Sequence, residues 1–182
     1  MITIPALHEA VCNFMQEKVA SRYMLRTKAI DENGEPIFKS RNPIVIRSGW
    51  ILPRKVGGIE NPEEIYPYIT PRIWKVENIP NERESVVTLD IHYGVFDPGS
   101  EDESKNLILD GSGYRDFWNL VETTRQAFFS NPTIDNKFRI LEDFFESGMI
   151  DEQVYPYYEG HCRTKWHVNY PMPQLEEHLF YK

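Results

Sequence analysis

The fold follows mainly from one segment, Ser85-Val-Val-Thr-Leu-Asp-Ile-His-Tyr-Gly-Val-Phe96. Its side chains alternate between an apolar set and a smaller or more polar set. The apolar set is Val87, Leu89, Ile91, Tyr93 and Val95, and the other set is Thr88, Asp90, His92 and Gly94. A period of two, with β-branched and aromatic residues on one side, predicts a half-buried β-strand.

An acidic loop and an amphipathic helix follow this strand. The loop spans residues 97–111, and its first part is too polar to belong to a core. From Ser112 to Phe129, apolar residues recur at three- and four-residue steps, which predicts a helix with one apolar stripe. The predicted stripe is Tyr114, Phe117, Val121, Thr124 and Phe128. Ser112 is the expected N-cap, and Ser130-Asn-Pro132 is expected to end the helix.

The remaining segments predict one more long helix and four more strands. The helix runs from Pro5 to about Arg26, with Thr3 as its cap. The strands are expected at Pro43 to Leu52, Tyr66 to Val76, Lys137 to Phe145 and Tyr155 to Val168. Pro71 removes a backbone donor, so the second of these strands should be an edge strand or carry a bulge there.

These elements predict an α+β fold and a single domain over residues 1–182. One mainly antiparallel sheet would carry both helices on the same face, leaving the other face to solvent or a partner. Asn33-Gly34 between apolar pairs predicts a hairpin or loop inserted at 27–42. Residues 171–182 are expected to form a C-terminal tail, either a short helix or a disordered arm.

Composition limits the possible functions. The chain has 182 residues, of which 41% are hydrophobic and 26% charged, with a formal charge of −8. An acidic chain without a strong basic cluster disfavours a nucleic-acid surface. The sequence shows no signal peptide and no apolar run long enough for a membrane span. Cys12 and Cys162 form no CxxC motif and are expected to be buried free thiols in a reducing cytoplasm.

Catalytic and metal-binding patterns are weak in this sequence. His92 and Asp90 share one strand face, and His161 and His167 share a face of the last strand, which leaves a zinc-dependent hydrolase as an alternative. Their spacing matches no compact ligand motif. Cys162 and its neighbour His161 should point to opposite faces, and Ser112 lacks the strand-to-helix context of a nucleophile elbow. We therefore predict that the protein is not an enzyme and needs no cofactor or metal.

Two long loops have opposite charge character. Arg54 and Lys55 begin the 53–65 loop, whereas Glu101, Asp102 and Glu103 lie in the 97–111 loop. Complementary loops on one subunit are what a head-to-tail ring uses, although plain solvated loops are an equally good reading of the charge alone. On the polar face of the last strand, Arg163, Lys165 and His167 are candidates for contact with a partner.

Several segments, taken in order, resemble one group of phage proteins. These segments are Gly49-Trp-Ile-Leu-Pro-Arg-Lys55, Tyr66-Pro-Tyr-Ile-Thr-Pro-Arg72, the strand ending at Phe96, Gly113-Tyr-Arg-Asp-Phe-Trp-Asn-Leu-Val-Glu followed by Arg125, Glu152-Gln to Gly160, and Thr164-Lys-Trp166. Together they resemble tail-terminator or tail-completion (minor tail) proteins of siphophages and prophages from Gram-positive bacteria. The 27–42 insertion and Pro71 depart from the usual pattern of that family.

The resemblance implies a structural role in the virion tail, after assembly in the bacterial host cytoplasm. It implies an α+β subunit in a ring, typically a hexamer, that caps the tail tube and contacts the head-tail connector. It implies no catalysis, no cofactor, no recognition of a nucleic-acid sequence and no membrane association. Another tail or neck completion protein, or an assembly factor, remains the alternative within this class.

Overall fold

A long central strand and the two strands beside it form the middle of the computed structural model. The structure describes residues 3–26, 41–49, 55–56, 59–60, 66–79, 84–104, 106–153 and 155–169. Helix α1 spans Ile4–Lys18 and α2 spans Ser112–Ser130. The long strands are β6 (Tyr68–Ile79), β7 (Glu84–Phe96), β11 (Phe138–Met149) and β12 (Tyr157–Asn169). The short strands are β1 (Met24–Arg26), β2 (Arg41–Pro43), β3 (Val45–Ile46), β4 (Lys55–Val56), β5 (Ile59–Glu60), β8 (Ser100–Glu101), β9 (Leu107–Ile108) and β10 (Thr133–Ile134).

The main sheet contains six strands in the order β10-β11-β12-β7-β6-β3. Every neighbouring pair in it is antiparallel except β3 and β6, which run parallel. The short strands β1 and β2, β4 and β5, and β8 and β9 form three separate antiparallel pairs. The α+β class and the mainly antiparallel sheet predicted from the sequence are confirmed.

The alternation in β7 sorts its side chains as predicted. The odd-numbered apolar residues from Val87 to Val95 are completely buried. On β12, the residues that share this face are Gly160, Cys162, Thr164, Trp166 and Val168, and all of them are buried. The two adjacent strands thus present one continuous buried face to the helices.

Both helices contribute to one hydrophobic core on this face of the sheet. Leu7, Val11 and Met15 of α1 belong to the same buried cluster as Phe117 and Phe128 of α2. The rings of Phe14 and Phe128 stack with their centroids 5.4 Å apart, which joins the two helices. The packing of two helices on one face is therefore confirmed.

The opposite face of the sheet, called the outer face below, is more buried than the sequence predicts. A second apolar cluster lies there, formed by Tyr66, Tyr68 and Phe96 with Tyr157 against it. The Tyr68 ring covers Gly94, where a Cβ atom would lie 2.1 Å from Tyr68 Cε1. The expectation of an open outer face is therefore wrong over this end, because aromatic side chains of neighbouring strands cover the central one.

Helix α1 is shorter than predicted. Thr3 caps it as expected, since its hydroxyl accepts a hydrogen bond from the Ala6 amide at 3.2 Å. The helix stops at Lys18, and a short 3-10 helix at Ala20–Arg22 follows before β1. The hydroxyl groups of Tyr23 and Thr123 lie 2.5 Å apart. Tertiary contacts therefore override the continuing helical pattern.

The start of α2 also differs from the prediction. Gly111, at a φ of 69°, is the N-cap, and Ser112 is the first helical residue. The Gly113 amide donates to the Asp97 carboxylate at 2.6 Å, so a residue far away in sequence caps the helix. A Cβ atom on Gly113 would lie 2.4 Å from the Tyr158 ring. The first turn of α2 therefore packs closely against Tyr158 only because residue 113 has no side chain. Tyr114 consequently turns away and is 52% exposed, so its predicted burial is wrong.

Strand β6 accommodates Pro71 close to the edge of the sheet. The Pro71 carbonyl accepts a hydrogen bond from the Gly49 amide at 3.3 Å, on the side of the short strand β3. The backbone nitrogen and carbonyl of one strand residue point to the same side of the strand. The nitrogen of Pro71 therefore faces the β3 side, and its missing hydrogen removes no hydrogen bond to β7. The irregularity in the β6–β7 pairing lies farther along, between Ile73 and Lys75.

Other boundaries shift by several residues. The predicted strand from Pro43 to Leu52 is divided in the described part between β2 and β3, and β11 continues to Met149 past a register shift between Ile140 and Phe145. Strands β1 and β2 pair where the chain enters and leaves the 27–42 insertion. The Asn33-Gly34 hairpin and the 171–182 tail lie outside the described residues.

Candidate functional site

Four charged residues form a row across the outer face. Arg72 on β6 pairs with Asp90 on β7, Asp90 pairs with Arg163 on β12, and Arg163 pairs with Glu146 on β11. Asp90 accepts hydrogen bonds from Arg163 Nε at 2.7 Å and from Arg72 at 3.2 Å. Cross-strand pairing therefore brings opposite charges from four strands together.

Asp90 lies beneath the two arginines and is buried. Burial acts to raise its pKa, but the hydrogen bonds from Arg163 and Arg72 outweigh burial and the pKa is lowered. Asp90 is thus a carboxylate at neutral pH. The guanidinium groups above it remain partly exposed, at 30% for Arg72 and 28% for Arg163.

Trp74 lies against both guanidinium groups. The Cζ atoms of Arg72 and Arg163 are 5.4 Å and 5.5 Å from the centroid of its ring. Such distances allow cation–π attraction, yet Trp74 remains 57% exposed. We call Arg72, Trp74, Lys75 and Arg163 the Trp74 patch.

Lys75 is the fourth member of this patch, and Lys165 adds a basic group beside it. Both pair with Thr88 across the sheet, so they belong to the next row along the strands. Lys75 Nζ lies 2.8 Å from Glu77, and Lys165 Nζ lies 4.4 Å from the centroid of the Phe144 ring. The outer face therefore combines basic groups with aromatic rings.

Three histidines that could have formed a zinc site do not converge. His92 and His161 are cross-strand neighbours, with ring centroids 5.9 Å apart. Six residues separate His167 from His161 along β12, a distance of about 20 Å, and His167 Nδ1 lies 2.5 Å from Glu84. The Asp90 carboxylate is already hydrogen-bonded to Arg72 and Arg163. The pKa of His92 is lowered to about 4, mainly by burial and secondly by repulsion from the Arg72 charge. Within the described residues, no group of three His, Cys, Asp or Glu could hold a metal ion.

Both cysteines are free. Cys162 is buried, its sulfur lies 3.1 Å from the Tyr93 hydroxyl, and burial raises its pKa to about 12. Cys162 lies on the core side and His161 on the outer side of β12, as alternation predicts.

Cys12 is half-buried rather than fully buried, because it lies at the margin of the packed side of α1. Cys12 Sγ lies 3.8 Å from His8 Nε2, but the same nitrogen lies 2.9 Å from the Pro71 carbonyl oxygen, and burial raises the pKa of the Cys12 thiol. This arrangement does not favour the thiolate that a catalytic nucleophile needs.

The acidic loop after β7 forms a hairpin instead of an irregular loop. Strands β8 and β9 pair between Ser100 and Ile108 and between Glu101 and Leu107. At the turn, the Asp102 carboxylate accepts hydrogen bonds from the amides of Ser104 and Asn106. We call residues 100–109 the Leu107 hairpin.

Asp97 fastens the base of this hairpin to the body. The sequence places Asp97 in the polar part of the acidic loop, but the residue is buried. Its carboxylate accepts hydrogen bonds from the Arg26 side chain and from the Gly99 and Gly113 amides. The Ser112 hydroxyl lies 2.8 Å from the same carboxylate. The first strand after α1, the hairpin and the start of α2 are therefore held by one residue.

The Leu107 hairpin exposes three consecutive apolar residues. Leu107 is 50%, Ile108 46% and Leu109 62% exposed. Because neighbouring strand residues point to opposite sides, the hairpin presents apolar surface on both sides. Exposed apolar groups on a structured arm indicate a contact with another molecule.

The predicted interface residues lie in separate places. Glu101, Asp102 and Glu103 lie on the Leu107 hairpin, whereas Arg163 and Lys165 lie on the outer face. Lys55 lies on β4, which pairs with β5, and Arg54 is outside the described residues. The predicted contact between the 53–65 and 97–111 loops thus stays a prediction.

Sequence reasoning missed the most exposed residues of both surfaces. The run Leu107-Ile-Leu109 inside an acidic loop was a readable signal for an exposed apolar arm. Trp74 had no such signal, because its exposure depends on the pairing irregularity beside it and on arginines from two other strands.

Comparisons with known proteins assign no family to this chain. Neither the scan against protein-family models nor the search of curated proteins finds a match to this chain. In the part of the chain that the structure describes, neither helix is long and apolar enough to cross a membrane.

Proposed function

We propose that this protein is a structural subunit of a phage or prophage tail, a tail terminator that forms a ring and joins the tail tube to the head connector. The observation that carries the proposal is the Leu107 hairpin, which presents Leu107, Ile108 and Leu109 to solvent from an arm fastened by Asp97. Solvent exposure of such an arm is unfavourable for an isolated chain and favourable for a subunit that buries it on assembly.

The ordered segments that resemble tail-terminator proteins support the same role. The proposed role needs neither catalysis nor a cofactor, and it places the protein in the virion tail after assembly in the host cytoplasm. Its partners are further copies of itself, the tail-tube protein and the connector proteins. Ring growth requires two different surfaces on each subunit, and the Leu107 hairpin and the Trp74 patch are two such surfaces.

Light scattering coupled to size exclusion tests the proposal. We expect a species near six times the 21.5 kDa chain mass, or a monomer that shifts towards it as concentration rises. Addition of purified tail tubes should promote the ring if the free chain assembles weakly. A chain that stays monomeric at every concentration and salt, both alone and with tail tubes and connectors, contradicts the proposal.

A further inference from the structure

We infer that the Leu107 hairpin of one copy binds the Trp74 patch of the next copy. This inference rests on the proposed function and specifies which surfaces join the subunits. Both surfaces belong to the described part of the chain, and they differ in chemistry and position. The contact is therefore heterologous, as a closed head-to-tail ring requires.

The Trp74 patch has the composition of a binding hot spot. Tryptophan and arginine are the residues most enriched where truncation weakens a protein interface strongly. Here the indole is 57% exposed, and two guanidinium groups lie within 5.5 Å of its ring centroid. Asp90 already holds the two arginine side chains in place, so binding costs them little additional conformational entropy.

The Leu107 hairpin supplies matching groups. Leu107 and Leu109 are apolar side chains suited to an indole face, and Asp102 and Glu103 at the turn are acidic. The Asp102 carboxylate is held by amides of its own turn, while Glu103 is exposed. An arm that is apolar along its strand and acidic at its tip complements a patch of indole, guanidinium and ammonium groups.

The positions of the two surfaces favour contact between copies over contact within one copy. The hairpin follows Phe96 at one end of β7, whereas the irregularity that contains Trp74 lies beside Leu89. Seven residues of strand separate Phe96 from Leu89, which is about 23 Å. Asp97 holds the base of the hairpin at its own end of the sheet. The base of the hairpin thus lies about 23 Å along β7 from the level of the Trp74 patch of the same subunit.

Mixing two variants tests this contact directly. The hairpin variant carries Leu107→Ser and Leu109→Ser, and the patch variant carries Trp74→Ser. Each variant alone retains one half of the contact with no matching half, so we expect self-association to weaken by roughly tenfold or more. Mixed in equal amounts, they should form a dimer of one copy each, because one intact hairpin then meets one intact patch and growth stops.

Matched controls separate a specific effect from a loss of folding. Met24→Ser changes an apolar side chain of similar exposure, 54%, on β1 and outside both surfaces, and should assemble like wild type. Circular dichroism and the thermal midpoint check that every variant is folded. If a serine variant unfolds, the pair Glu103→Lys and Lys75→Glu replaces it. Each of these variants alone sets like charges against each other, whereas in the mixture every hairpin meets a patch of opposite charge on the other variant, so we expect assembly beyond a dimer, with the two variants alternating.

Each outcome decides the inference. Wild-type assembly with both variants assembling equally well overturns it and leaves the proposed function standing. A mixture that stays monomeric shows that the two surfaces do not meet each other and also overturns it. A wild-type chain that stays monomeric in solution overturns it alone, while the proposed function still depends on the experiment with tail tubes.

Discussion

At the scale of single residues, close contacts and buried charge explain why particular side chains are needed. Gly94 on β7 lies directly beneath the Tyr68 ring, and Asp90 lies beneath two arginines. Both residues belong to the outer face, where alternation alone predicted a solvent-facing surface. Position 94 has no room for a side chain beneath the Tyr68 ring, whereas position 90 needs a negative charge to pair with the two arginines.

Gly94→Ala should destabilise the protein by about 1–3 kcal/mol, because the added methyl group overlaps the Tyr68 ring and forces it to move. Chemical denaturation gives the free energy of unfolding. Gly148→Ala is the matched control, since a Cβ atom there has no neighbour within 4 Å. That change should be neutral or stabilise by up to about 1 kcal/mol. Equal losses for both variants would contradict the steric explanation.

Asp90→Asn should cost about 2 kcal/mol at neutral pH, because two arginines then lose their buried carboxylate partner. The lowered pKa of Asp90 means that its stabilisation is present above the unfolded-state value of 3.8 and is lost as pH falls through the folded-state value. The difference in unfolding free energy between wild type and variant should therefore stay constant from about pH 7 to about pH 5 and shrink as the pH falls further. Urea titrations across this range measure it.

Glu122→Gln is the control for that pH series. Glu122 pairs with Arg125 on the exposed surface of α2, where an ion pair contributes little to stability. A loss for Glu122→Gln as large as that for Asp90→Asn would mean that burial beneath the arginines has no special effect.

At the scale of elements, helix α2 is predicted correctly, but its predicted buried face is wrong in the first turn, at Tyr114. The apolar spacing identified the helix and the burial of Phe117, Val121, Thr124 and Phe128. The first turn follows another constraint, because Gly113 packs against Tyr158 and its amide is bound to Asp97. No periodicity within the helix can reveal contacts with Tyr158 and Asp97.

Phe117→Ala should cost about 3–5 kcal/mol, since it leaves a cavity beside Tyr93 in a completely buried site. Tyr114→Ala, one turn earlier on the exposed side, should cost less than about 1 kcal/mol. Denaturant unfolding of the two variants measures the difference. Similar values would mean that the helix is oriented otherwise than described.

At the scale of the whole molecule, the Trp74 patch and the Leu107 hairpin, which we propose as assembly surfaces, differ in position and in chemistry. The helices cover one face of the sheet, the Trp74 patch lies on the outer face, and the Leu107 hairpin extends from one end of β7. Two unlike surfaces on one chain generate rings or filaments instead of symmetric dimers. The mass measurement belongs to this scale, because a species that stops at a dimer would contradict head-to-tail growth.

Elements with a local and strongly periodic pattern are predictable from the sequence alone. The alternation of β7 and β12, the stripe of α2 and the cap at Thr3 could be read directly, because strand and helix periods sort side chains to one face. The order of long strands and helices then sufficed for the α+β class with both helices on one face.

Features that join distant segments depend on how the whole chain packs. Asp97 is buried because Arg26 and Gly113 surround it, and Trp74 becomes a patch because Arg163 arrives from another strand. The pairing of His161 with His92 likewise depends on strand register. Register and long-range hydrogen bonding are set by the packing of the whole chain, so no local pattern could have revealed them.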